Sequence, residues 1–183
     1  IYSVSIIFGV YAFVLVCNQF YLASQPPWIV SLLGAKHVRT LHGSSPLVIT
    51  ALVLLHAGLK LANGFTLSTS QALLGQVAFI LLFVGIISAL LFFSNTLLTK
   101  QKRFAQIRAS TYEKTGLTHQ RVRAMHNLMV ATGLVVLFHV LQASTSSFSY
   151  NLMGTAILVT WMAFTLLSYA AYRLNGRKSR RSP

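Results

Sequence analysis

Apolar residues gather in five long runs, at about 4–23, 41–62, 72–96, 124–143 and 150–172, with shorter polar stretches between them. No run alternates polar and apolar positions in the manner of a barrel strand, and each approaches the roughly 20 residues that a helix needs to cross a bilayer core about 30 Å thick. Backbone groups in lipid must be satisfied within the segment, so the pattern predicts five transmembrane helices. "QPPW" at 25–28 breaks the chain after the first run, because prolines cannot continue a helix and Trp28 suits the interfacial belt. "ANGFTLSTSQ" and "QASTSSFSYN" are short connections that make their neighbours antiparallel. The expected fold is all-α, an integral membrane up-down helical bundle of five visible spans. One membrane domain covers 1–173, and a basic tail covers 174–183.

Composition agrees: 55% of the 183 residues are hydrophobic and 9% charged, which excludes an ordinary soluble domain. The net charge of +14 would suggest nucleic acid in a soluble chain, but its placement points to topology instead. Lys36 and Arg39 precede the second run; Lys100, Lys102, Arg103, Arg108, Lys114, Arg121 and Arg123 separate the third from the fourth; Arg173, Arg177, Lys178, Arg180 and Arg181 follow the fifth. The second-to-third connection has Lys60 alone, and the fourth-to-fifth has no charge. Basic and neutral loops therefore alternate, which predicts an outside N-terminus and a cytoplasmic C-terminus in a plasma or inner membrane. The long basic loop interleaves Phe104, Ile107, Tyr112 and Leu117 with its cations, so it can lie on anionic lipid or serve as a docking surface for a cytoplasmic partner. Cys17 is alone within an apolar run and reads as a packing residue. The sequence begins at Ile1 without an initiator Met, and a removed signal or span upstream would account for an outside N-terminus.

Candidate chemistry rests on six histidines. His37 and His119 fall in basic loops, whereas His42, His56, His126 and His139 lie within two apolar spans, where ionisable residues are costly. The second run carries HX13H and the fourth HX12H, which at 1.5 Å per residue separates the members by about 21 and about 20 Å. Both spans run outward in the expected topology, so His42 and His126 share an inner level and His56 and His139 an outer one. Two imidazoles from two helices at each level meet the requirement for two stacked haems, each with both axial positions filled. Zinc, which wants four tetrahedral ligands at one level, fits less well. Helical phase turns His126 and His139 roughly 140° apart on an ideal helix, and Gly133 halfway between is a site for the distortion this demands. Gly43, Ser44, Ser45, Ala57 and Gly58 beside the histidines would let a flat macrocycle approach. Arg39 and Arg123, each three residues before an inner histidine, can pair with propionates, although the positive-inside rule also explains them. Lys60, one turn beyond His56, can meet outer propionates or an anionic acceptor, or snorkel to water.

"LHGSSPLVITALVLLH" and "MHNLMVATGLVVLFH" resemble, in spacing and order, the haem-bearing helices of the ferric reductase-like transmembrane domain, shared by ferric-chelate reductases and NADPH oxidases. The resemblance covers roughly residues 5–172 and implies that His42 and His126 ligate an inner haem b and His56 and His139 an outer one. It implies a transmembrane oxidoreductase that passes electrons from NAD(P)H through FAD in a cytoplasmic module to an extracytoplasmic acceptor: ferric iron, dioxygen or a partner protein. The chain has no GxGxxG, so the flavin module belongs to a separate protein or lies beyond this sequence, with the basic tail as a linker. Superoxide-forming members can carry a His one turn past the outer ligand, where Lys60 stands here, and the family usually has six spans. Two other readings remain open: a quinol-linked cytochrome b anchor subunit, and a haem-free transporter or structural subunit whose histidines are polar glue.

Overall fold

The computed structural model describes residues 2–92, 102–116, 121–122, 126–143 and 149–179. These include the helices α1 (Tyr2–Ala23), α2 (Pro27–Leu33), α3 (Ala35–Ala62), α4 (Ser70–Phe92), α5 (Lys102–Thr115), α6 (Leu128–Leu141) and α7 (Leu152–Ser179). No strand occurs among the described residues. Four of the helices, α1, α3, α4 and α7, are long and apolar enough to cross a membrane. The fourth apolar run differs from expectation: its described helix, α6, has 14 residues, fewer than a span requires. Large apolar side chains stay exposed around the long helices, among them Leu54, Ile80, Phe83, Ile157 and Leu167. Helices that are apolar on their outer faces as well as their inner ones belong in lipid.

The expected break after the first span falls at Gln25 and Pro26. There the chain turns through a positive φ of 49° at Gln25, and α2 starts with proline in its first turn, where the missing N–H is no loss. Trp28 donates from Nε1 to the Tyr21 hydroxyl at 2.8 Å and is otherwise exposed, as an interfacial aromatic should be. Gly34, at φ 79°, joins α2 to α3 in a conformation that a side chain would strain. The second span thus begins six residues earlier than its apolar run, and Lys36, His37 and Arg39 sit on its first turns. The basic segment does hold an amphipathic helix, α5, tied to α4 by Arg108 Nε donating to the Leu91 carbonyl at 2.5 Å. At the other end α7 runs unbroken through position 173, where the composition turns basic.

Helix α1 packs mainly on α3 and α7, and α4 mainly on α6. Contacts fix the directions. Ser5 meets His56 near the far end of α3, and Gln71 meets His139 near the far end of α6, so both pairs are antiparallel. Asn18 accepts from Trp161 and the Tyr21 ring packs tilted against Phe164, so α1 and α7 run parallel. The buried core of Phe13, Val16, Cys17, Phe20, Ile49 and Met162 lies in the middle of the bundle. Cys17 is fully buried there, its Sγ 3.9 Å from Met162 Sδ. Helices α3 and α6 have little direct contact with each other. Each is backed by another helix, and the gap between them is where the histidines point.

Candidate functional site: two facing imidazole pairs

Across that gap His42 faces His126 with ring centres 6.2 Å apart and planes at 90°. Fourteen residues along α3, His56 faces His139 at 6.3 Å and 85°. The pairings are those expected from the two spacings. They form despite the phase mismatch. Asn127, between His126 and the first residue of α6, keeps helical dihedrals (φ −66°, ψ −16°), and Val130 N–H bonds back three residues to Asn127 O at 3.0 Å, a tighter turn than an α-helix makes. Gly133, expected to be the distorted point, lies inside the regular helix, where a Cβ would come within 2.7 Å of the Phe20 ring. Its smallness serves packing against α1.

In α3 the sequence between the histidines contains Pro46, which cannot donate to the carbonyl of His42 four residues earlier. Local hydroxyls cover the neighbouring acceptors: Ser45 donates to Leu41 O, and Thr50 to Pro46 O at 2.8 Å. The helix continues through the proline without interruption.

The outer pair is held by backbone. His56 Nδ1–H donates to Ser5 O at 2.6 Å, and His139 Nδ1–H to Gln71 O at 2.8 Å. An imidazole that donates from Nδ1 presents its Nε2 lone pair on the other side of the ring. Around this pair lies a cavity of about 510 Å³ with walls that include Phe13, Val16, Val53, Phe79, Val136 and Leu158. That volume is in the range of cofactor-sized pockets, which are apolar with a few polar groups. Gln71 and Lys60 are among the few polar residues on its lining. Lys60 Nζ stands 4.1 Å from the centre of the Tyr2 ring and 5.1 Å from that of Phe65, geometry suited to cation–π attraction.

The inner pair is held differently. His42 Nδ1 is buried and has no hydrogen bond of ordinary geometry, although the Gln19 backbone is beside it; the Gln19 side-chain amide is likewise buried and unpaired. Arg39 is exposed on the first turns of α3, and Arg123 lies outside the described residues. Arg173 on α7 is an electrostatic neighbour of His126. Its local sequence gives it only a topology charge, since nothing there says that α7 returns it to the histidine level. His37 is exposed, with Nδ1 on Leu33 O at 2.9 Å, and belongs to neither pair. Nothing would meet a Cβ at Gly43 or Gly58 within 4 Å, and both are exposed. The glycines against the rings are Gly9 and Gly75, on the backing helices.

Comparison with known protein families, curated proteins and solved structures returns no match for this chain. The chemistry must therefore be argued from the donors themselves. Among the described residues no group of three or more His, Cys, Asp or Glu side chains gathers. Each level offers two nitrogen donors facing each other, rather than a tetrahedral set.

Proposed function

We propose that the protein is a bis-histidine, di-haem b membrane cytochrome. It carries single electrons from a cytoplasmic flavin and NAD(P)H donor to an extracytoplasmic acceptor, which is ferric iron, dioxygen or a partner protein. The observation that carries this reading is the separation within each imidazole pair. Two metal–imidazole bonds of about 2.0–2.1 Å, with about 1.1 Å from each nitrogen to its ring centre, require centres about 6.3 Å apart. The observed values are 6.2 and 6.3 Å.

A haem held by each histidine pair would supply one-electron redox chemistry. Everything else is the work of the chain. His42 and His126 would hold the inner group, and His56 and His139 the outer. The Ser5 and Gln71 carbonyls fix the outer rings by the kind of backbone hydrogen bond that orients metal-bound histidine and raises its basicity. Apolar side chains such as Phe13, Val16 and Val53 line the outer cavity and keep water from it. Arg39, Arg123 and Arg173 supply positive charge for the inner carboxylates, and Lys60 for the outer ones or for an anionic acceptor. In this reading the fourth apolar run crosses the membrane with α6 as its outer part, giving five spans with the N-terminus outside.

A reduced-minus-oxidised spectrum of the purified protein tests the proposal. A b-type signal with close to two haems per chain is expected, with about half of it lost in His42→Ala or His139→Ala. A colourless protein, or a signal indifferent to both substitutions, would exclude haem and favour a structural role for the histidines.

A further inference from the structure

Gly9 and Gly75 sit mid-helix, in α1 and α4, four residues after Ser5 and Gln71 respectively. In an α-helix the N–H of residue i+4 bonds to the carbonyl of residue i, and the Cβ of residue i+4 leans back toward that same turn. A carbonyl has a second lone pair, which a side chain from a neighbouring helix can reach when that Cβ is missing. This is the situation at both outer histidines. A Cβ on Gly9 would stand 2.8 Å from His56 Nδ1, and one on Gly75 would stand 2.9 Å from His139 Cε1 and 3.0 Å from its Nδ1. Neither glycine meets the backbone of a facing helix among its nearest neighbours, as it would if close helix packing were its purpose.

The inner level supplies the contrast. Gln19 lies fourteen residues after Ser5 on α1, just as His42 lies fourteen before His56 on the antiparallel α3, so Gln19 and His42 are the inner equivalents of Ser5 and His56. The residue four after Gln19 is Ala23, which carries a Cβ. There the imidazole has the Gln19 backbone beside it, but the approach of its buried Nδ1 falls short of ordinary hydrogen-bond geometry.

We propose that Gly9 and Gly75 are positioning residues for the outer histidines: each bares one helical turn, so that the Ser5 or Gln71 carbonyl takes the imidazole Nδ1–H and turns Nε2 toward the gap. The proposal rests on the haem reading and adds an asymmetry to it. The outer ligands are pre-oriented and made more basic by backbone acceptors in good geometry, which stabilises the ferric outer centre, while the Gln19 backbone holds the inner His42 more weakly.

The test uses the full chain with haem bound, the outer centre being assigned as the low-spin ferric signal lost in His56→Ala. In Gly9→Ala and Gly75→Ala the outer signal should shift, its midpoint potential should rise, and haem retention at that level should drop by about 10- to 100-fold, the usual effect of removing such a partner. The inner signal should stay. Ala23→Gly should do the converse, lowering the inner potential alone, and Gly43→Ala should change neither. Alanine is the better helix former, so a change confined to the outer centre is not a helix-propensity effect. Gly9 and Gly75 are on separate helices, so if one variant fails to fold the other decides. An unchanged outer signal and potential with two haems per chain in the folded variants would overturn the proposal, as would equal shifts at both levels. Wild-type protein that binds no haem would instead defeat the underlying haem reading, and a different experiment would have recorded it.

Discussion

Lys60 illustrates how far a single residue can be read. Its position one turn past His56, on an otherwise uncharged side of the bundle, is evident from the sequence. Its setting is not: the ammonium lies near the Tyr2 and Phe65 rings on the lining of the outer cavity and acts electrostatically on His139. A cation so placed should favour an anionic acceptor. Lys60→Gln is expected to slow reduction of an anionic ferric chelate by roughly ten-fold at low salt, with the difference shrinking as salt rises. Reduction of an uncharged acceptor should be little changed. Equal slowing for both acceptors would assign Lys60 to the haem carboxylates instead. The histidines themselves were legible because an ionisable side chain stands out in an apolar run. The Ser5 and Gln71 carbonyls were not, since a backbone acceptor is present at every residue and only the bundle decides which of them an imidazole reaches.

Among the elements, α1, α3, α4 and α7 were legible from apolar length, which is a local property. Helix starts depend on details that length does not report, such as α3 beginning at Ala35 and α6 at Leu128. The role of Gly133 was misjudged for the same reason: the sequence offers a glycine where a distortion is needed, but Phe20, 113 residues away, explains why no side chain fits there. Phe20 is buried, so the added methyl of Gly133→Ala has nowhere to go. Overpacking of this kind costs about 1–3 kcal/mol, against a helix-propensity gain of about 1 kcal/mol. The variant should therefore unfold at a lower temperature in detergent while keeping both haem signals. Pro46→Ala should behave in the opposite way. It returns a hydrogen bond to the His42 carbonyl and alters the twist between His42 and His56, so the inner signal should move with little loss of stability.

For the whole molecule, the directions of the helices and the two histidine levels form one argument. Antiparallel α1–α3 and α4–α6 pairs and a parallel α1–α7 pair put Ser5, His56, Gln71 and His139 at one end, and Gln19, His42, His126 and Arg173 at the other. The basic stretches Lys36–Arg39 and Lys102–Lys114 belong to the second end, and Asn63–Gly64 and Tyr150 to the first. Under the positive-inside rule the proposal expects the second end to face the cytoplasm. Single cysteines introduced into a Cys17→Ala background test this, because native Cys17 is buried and its loss removes the only other thiol. In intact cells a membrane-impermeant maleimide should label Asn63→Cys and Tyr150→Cys, whereas Thr111→Cys on α5 should react only after the membrane is opened. Labelling at Asn63→Cys but not Tyr150→Cys would mean that the fourth apolar run does not cross. His126 and His139 would then not lie at two depths of the bilayer, and the direction of electron flow would have to be argued again from the donor side.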